Sequence, residues 1–140
     1  MKIKFNFNIN TTLRDRIKLK NFLCLLAKSE KTQFESLNFI FCSNDFLLEI
    51  NKSFLNHDYY TDIITFDLSD SKTKVKTGEI YISSEMVLSN SKDFETTYKE
   101  ELHRVIFHGV LHLCGYKDKS EKERVTMRKK EDHYLNLYFN

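Results

Sequence analysis

The segment FHGVLHLCGYKD, residues 107 to 118, carries residue types that can hold a metal ion. His108 and His112 stand four apart. On a helix that spacing puts both imidazoles on one face, a turn apart, where one ion can touch both. Gly115 sits where a helix C-terminus prefers glycine, so the chain can turn back and present a third ligand from Asp118. The pattern H-x3-H-x5-D leaves one coordination position open, the mark of a catalytic rather than a structural site. The histidine pair alone is a weak signal, because such pairs on a helix face are more often structural. Gly109 and Gly115 strengthen it in a chain with only three glycines and no proline. His57, His103 and His133 read as surface or core residues, with His133 a reserve third ligand. Gly109 stands where an H-E-x-x-H metalloprotease carries its glutamate base. Protease chemistry is therefore disfavoured, which leaves an ion that acidifies a bound water as the main generator of a nucleophile. Glycine there also lets another segment pack closely on the helix.

These residues need elements to hold them. Ile3, Phe5, Phe7 and Ile9 alternate with lysine and asparagine and predict a half-buried strand over residues 2–9. Thr12 as N-cap with Asp15 three residues on predicts a helix to about residue 28, with Leu13, Ile17, Leu19, Phe22, Leu23 and Leu26 on its apolar face. Arg14, Arg16, Lys18 and Lys20 decorate that helix and read as a solvated face before an RNA-docking one. LNFIFC, residues 37–42, predicts a second strand, and Ser43 or Asn44 caps a helix to about 55. DIITFDL, residues 62–68, and GEIYIS, residues 78–83, predict two more strands joined as a long-looped hairpin across a polar loop over 69–76. A short helix follows from Ser84 to about Lys92. The histidine-bearing helix runs from Thr96 or Thr97 to Leu113, and a last helix starts at the Ser120/Glu123 capping box, carrying Val125, Met127 and Leu135. The expected fold class is α+β: one domain over residues 1–140, a four-stranded mixed sheet packed with about five helices, the metal-binding helix next to the sheet.

Composition sets limits on function. A chain of 140 residues, 41% hydrophobic and 30% charged, is one ordinary globular domain. No window approaches the roughly 20 apolar residues that span a bilayer. The start, MKIKFNFNIN, lacks the continuous apolar run of a signal peptide, so a cytoplasmic location is expected. Cys24, Cys42 and Cys114 are odd in number and form no C-x-x-C, which argues against disulfides or a cysteine zinc site and reads each as a small buried hydrophobe. A net charge of +2 permits a nucleic-acid partner without demanding one.

HGVLHLCGYKD resembles the H-G-x-L-H-L-x-G-Y-D-H signature of the YbeY family, metal-dependent endoribonucleases that act as rRNA maturation factors. Two further blocks carry the resemblance: NKSFLNHDYYTDIITF, with Thr61-Asp62-Ile63-Ile64-Thr65-Phe66 similar to T-D-V-L-S-F, and Gly78 to Ser83, similar to G-D-I-x-I-S. The blocks fall in the family's order and spacing, and the resemblance covers nearly the whole chain. It implies a zinc-dependent single-strand endoribonuclease in maturation of the small-subunit rRNA 3′ end and in ribosome quality control. By the same resemblance one Zn2+ per chain would be held by His108, His112 and Asp118, and would bind the scissile phosphate and activate a water, with no protein general acid or base assigned. Single-stranded RNA and the small ribosomal subunit or its proteins are the implied partners.

Two positions depart from the family. Asp118 stands where a histidine is usual; aspartate is a competent zinc ligand, and two histidines with one carboxylate also suit iron, manganese or nickel. In the alternative alignment Lys119 holds that position, which a protonated lysine cannot fill as a ligand. Leu55 stands where an arginine is usual, and Lys52, His57, Lys117 or Lys119 are left to bind phosphate. Lys52, His57 and Lys117 are the expected substrate-binding residues. Tyr59, Tyr60 and Tyr116 are candidates to stack on bases, packing around the metal helix being the commoner role. Two other functions stay open: a ribosome-associated binding factor with a structural metal, which Leu55 favours, and a metal-dependent hydrolase of another substrate.

Overall fold

Alternating side chains set the first strand, β1 (Lys2–Phe7), which buries Ile3 and half-buries Phe5 and Phe7. The computed structural model describes all of Met1–Asn140. After β1 come α1 (Arg16–Ser29), β2 (Phe34–Cys42), α2 (Asn44–Leu55), β3 (Ile63–Asp67), β4 (Lys76–Ser83), α3 (Ser84–Asp93), α4 (Tyr98–Leu113) and α5 (Glu121–Phe139). The sheet order is β1-β2-β4-β3. β1 and β4 both run parallel to β2, with Phe5 beside Phe39 and Phe39 beside Ile80. β3 returns antiparallel on β4, so the expected long-looped hairpin forms, with Thr65 beside Ile80. The fold is the α+β class with a mixed four-stranded sheet and five helices.

Leu37, Phe39, Phe41, Ile80 and Ile82 fill one face of the sheet and meet Leu102, Ile106 and Phe107 of α4 in the main core. Gly109 decides how near α4 lies. A Cβ built there falls 2.8 Å from Ile63 Cδ1 and 3.0 Å from Ile80 Cγ2. Glycine therefore lets the helix rest directly on β3 and β4, carrying its neighbours His108 and His112 to the start of β3. Gly109→Val is expected to cost about 1–3 kcal/mol through overpacking against the stiff Ile80 branch. A urea midpoint unchanged from wild type would show that the helix moves off the sheet freely.

Four expectations need correction. Thr12 does not cap α1. Asp15 takes the left-handed conformation at φ 56° and the helix starts at Arg16, because Leu13 is already buried in the core as a loop residue. Ile17 is 79% exposed: it points away from the buried stripe of Leu19, Leu23, Leu26 and Ala27. Val125 is likewise exposed on α5, whose buried stripe runs Met127, Glu131, Tyr134, Leu135 and Tyr138. Cys42 is buried, but Cys24 is exposed on α1 and Cys114 is only half-buried. The strands also shift: β1 stops at Phe7, and β2 and β4 begin earlier than their apolar runs, at Phe34 and Lys76.

Candidate metal centre and its pocket

The pocket face of α4 is a stripe of Glu101, Arg104, Val105, His108 and His112, spaced i, i+3, i+4, i+7 and i+11. Thr97 caps the start of the helix, its hydroxyl accepting from the Glu100 amide at 3.0 Å. The far end closes as a Schellman turn. Tyr116 N–H donates to the Leu111 carbonyl and Gly115 N–H to the His112 carbonyl, both at 3.1 Å. Gly115 has φ 111°, a conformation that other residues rarely adopt, so the expected terminal glycine is required by the backbone. The turn swings the Tyr116 carbonyl back over His112, whose Nδ1 donates to it at 2.6 Å. A carbonyl only accepts, so Nδ1 carries the proton and Nε2 keeps its lone pair for the pocket.

His108 is anchored from another direction. Ser120 and Glu123 form a reciprocal capping box that starts α5, and α5 runs back along α4. Glu131, with its side chain only 8% exposed, accepts from His108 Nδ1 at 2.7 Å. Its other oxygen takes Arg104 Nη1 at 3.0 Å, while Arg104 Nη2 reaches Asp132 at 2.8 Å. Both imidazoles thus have Nδ1 tied off, the arrangement that aims Nε2 at a metal. His108 Nε2 lies 3.3 Å from Asp118 Oδ2, close to the separation of two ligands on one tetrahedral ion with bonds of about 2.0–2.1 Å. The His108 and His112 ring centres are 5.9 Å apart. No three His, Cys, Asp or Glu side chains are gathered tightly enough to close on one point. The donor set fits a metal in its chemistry, with His108 and Asp118 already in contact and His112 a turn along the same wall.

The pocket has a volume of about 620 Å³. Its walls come from the end of α2 and the loop after it, the start of β3, the end of α3, α4, the loop after α4, and α5. Burial pushes the Asp62 carboxyl above its ordinary range against the pull of His108, and the charges of Glu131 and Asp118 push it further. Burial likewise raises Glu101, with Arg104 opposing. For His108, burial works to lower the imidazole, but the hydrogen bond and charge of Glu131, with Asp118 and Asp62, hold it above its usual value of 6.5. A folded value above the unfolded one adds stability that is fully present below about pH 6.5 and lost as pH rises through the folded value. In metal-free protein the urea midpoint is therefore expected to fall with rising pH, more in wild type than in His108→Ala. Parallel pH profiles would contradict this.

The residues singled out in the sequence separate here. His57 lines the pocket mouth, stacked on Tyr59 with ring centroids 5.1 Å apart and accepting or donating at Nδ1 to the Tyr59 hydroxyl. Lys52 does not line the pocket; it pairs with Asp58 at 3.5 Å. Lys117 does not line it either, whereas Asp118 and Lys119 do. Tyr60 bonds Asp45, and His133 packs its ring on Tyr134 away from the pocket. Tyr116 packs against the main core beside the end of α4. Its hydroxyl donates to Glu30 at 2.7 Å, and Tyr134 and Lys130 donate to the same carboxylate. Burial would raise the Glu30 carboxyl, but those donors hold it below its ordinary range.

Sequence reasoning passed over Asp62, Arg104, Arg128 and Glu131, all lining the pocket. Glu131 had a legible signal: it is a carboxylate on the apolar stripe of α5.

Fold and pocket together define a class, an α+β domain that sets two oriented imidazoles and several carboxylates against the start of a strand. The family model for Endoribonuclease YbeY matches residues 4–138. The chain is 52% identical over 125 residues to the Endoribonuclease YbeY of Cytophaga hutchinsonii, covering 89% of this chain and 87% of that one. It is 45% identical over 136 residues to that of Flavobacterium psychrophilum, covering 97% and 96%. A solution structure of a Thermotoga maritima protein matches with a TM-score of 0.63 at 29% identity, over 99% of this chain and 89% of that one. The chain belongs to the Endoribonuclease YbeY family.

Proposed function

We propose that this chain is a metal-dependent endoribonuclease that cuts single-stranded RNA, with one Zn2+ held by His108, His112 and Asp118. The observation that carries the reading is the pair of imidazoles whose Nδ1 atoms are committed to Glu131 and Tyr116 beside Asp118. Membership in the endoribonuclease family supports RNA as the substrate class. An ion bound there supplies positive charge at the scissile phosphodiester and lowers the pKa of an attacking water. Glu131 and the Tyr116 carbonyl fix the imidazole tautomers. Arg104 holds Glu131 in place through the shared ion pair. The stacked His57–Tyr59 pair at the mouth offers an aromatic face to a base, which only an unpaired strand can present.

The proposed substrate is the 3′ end of small-subunit rRNA, with a further role in ribosome quality control. The place of work is the cytoplasm, at the small subunit or its proteins. No helix is long and apolar enough to cross a membrane.

The test uses end-labelled single-stranded RNA, the matching duplex and a small-subunit rRNA precursor. Cleavage of the single strand and of the precursor near its 3′ end is expected, lost on chelation and restored by zinc. Cleavage that persists through chelation would remove the metal from the mechanism. RNA binding without cleavage by zinc-loaded protein would favour the ribosome-associated binding factor.

A further inference from the structure

Carboxylates dominate the pocket wall: Asp62, Glu101, Asp118 and Glu131 all face it. An RNA strand brings a negative charge with every phosphate, so its entry needs cations as well as a metal. Three cationic side chains line the pocket: Arg104, Lys119 and Arg128.

Arg104 is already spent. Its side chain is 13% exposed and both ends of its fork are taken, by Glu131 at 3.0 Å and Asp132 at 2.8 Å. Freeing it would strand two carboxylates and open the anchor of His108. Lys119 has its ammonium in no ion pair, so nothing fixes where its charge sits. Arg128 differs from both. It sits three residues before Glu131 on α5, and its side chain is 60% exposed. Its guanidinium lies 4.0 Å from Glu131 Oε1 and 4.0 Å from Asp132 Oδ1. Those separations are too long for hydrogen bonds, and both oxygens already accept from Arg104. The carboxylates therefore position the Arg128 fork beside the pocket without occupying its donors.

We propose that Arg128 is the phosphate clamp of this pocket, its free guanidinium taking a non-bridging phosphate pair of the RNA strand in a bidentate contact. The inference rests on the single-strand endoribonuclease reading above. Arg128 binds and positions the strand; it does not hold the ion.

The test compares zinc-loaded wild type, Arg128→Ala and Arg128→Lys. Binding of a fluorescent single-stranded oligoribonucleotide is measured across a salt series, alongside kcat, KM, zinc content and Tm. In Arg128→Ala, binding is expected to weaken roughly tenfold or more, with KM rising and zinc content and Tm unchanged. The slope of log affinity against log salt is expected to flatten by about 0.7, the value of one phosphate contact on a single strand. Lysine keeps the charge and loses the fork, so Arg128→Lys is expected to retain the slope and recover only part of the affinity. Wild-type binding with an unchanged affinity and slope in Arg128→Ala would overturn the clamp and leave the endoribonuclease reading standing. Loss of zinc or Tm in Arg128→Ala, with unchanged affinity per zinc-loaded molecule, would make Arg128 structural. Absence of any RNA binding by zinc-loaded wild type would overturn that reading and the clamp with it.

Discussion

Protein carrying Asp118→Ala is expected to lose most of its bound zinc and to cleave single-stranded RNA at near-background rates, while folding as wild type does. Asp118 is 39% exposed on the loop after α4 and contributes little to the core, so its loss is a loss of chemistry. Removing an outer partner of a metal ligand costs roughly 10–100-fold, and removing a ligand itself is expected to exceed that. Asp118→His restores the residue usual in the family and is expected to recover metal. Metal content by mass spectrometry and cleavage rate at saturating zinc check both. Zinc retained in full by Asp118→Ala would move the third ligand elsewhere in the pocket. His133 is excluded from that role by its position away from the pocket, beside Tyr134.

Glu131→Ala is expected to damage both stability and metal binding. It removes the acceptor that orients His108 and leaves Arg104, mostly buried, with Asp132 alone. Breaking one side of a buried ion pair costs about 3–5 kcal/mol. The lost acceptor adds about 10–100-fold in metal affinity. Glu131→Gln separates the two effects. Its amide oxygen can still accept from His108 Nδ1, but its missing charge weakens the hold on Arg104. Zinc affinity by chelator competition is therefore expected to recover more in Glu131→Gln than urea stability does. Equal loss of both in the two variants would show that Glu131 acts only through folding.

The histidine helix was legible because its signals are local. The i,i+4 pair, the apolar stripe and Gly115 all report on one helix and its end: both imidazoles line the pocket, the stripe is buried, and the helix closes at Gly115. The hairpin of β3 and β4 was legible for the same reason. Helix α1 misled because Thr12 fits a capping pattern, while tertiary burial of Leu13 decides where the helix begins. The pocket's supporting residues were hidden because they arrive from far along the chain. Arg104 meets Glu131 across 27 residues, and no spacing rule reaches that far. Lys117 and Lys119 differ by only two positions, and the turn geometry alone decides which one faces the pocket. Lys52 shows the opposite failure: a plausible charge is diverted by its neighbour Asp58.

The anchors of the two imidazoles also set an order in time. Glu131 follows His108 by 23 residues, and Glu30 waits for Tyr116 and Tyr134, 86 and 104 residues downstream. A ribosome delivers the N-terminal part first. When His108, His112 and Asp118 have emerged, Glu131 and Tyr134 are still inside the exit tunnel or unmade. An interrupted chain that ends before α5 carries every proposed ligand and holds His108 in no fixed tautomer. The His108 anchor forms only once α5 has left the ribosome, so fragments of stalled synthesis that end before α5 are released with that imidazole unanchored.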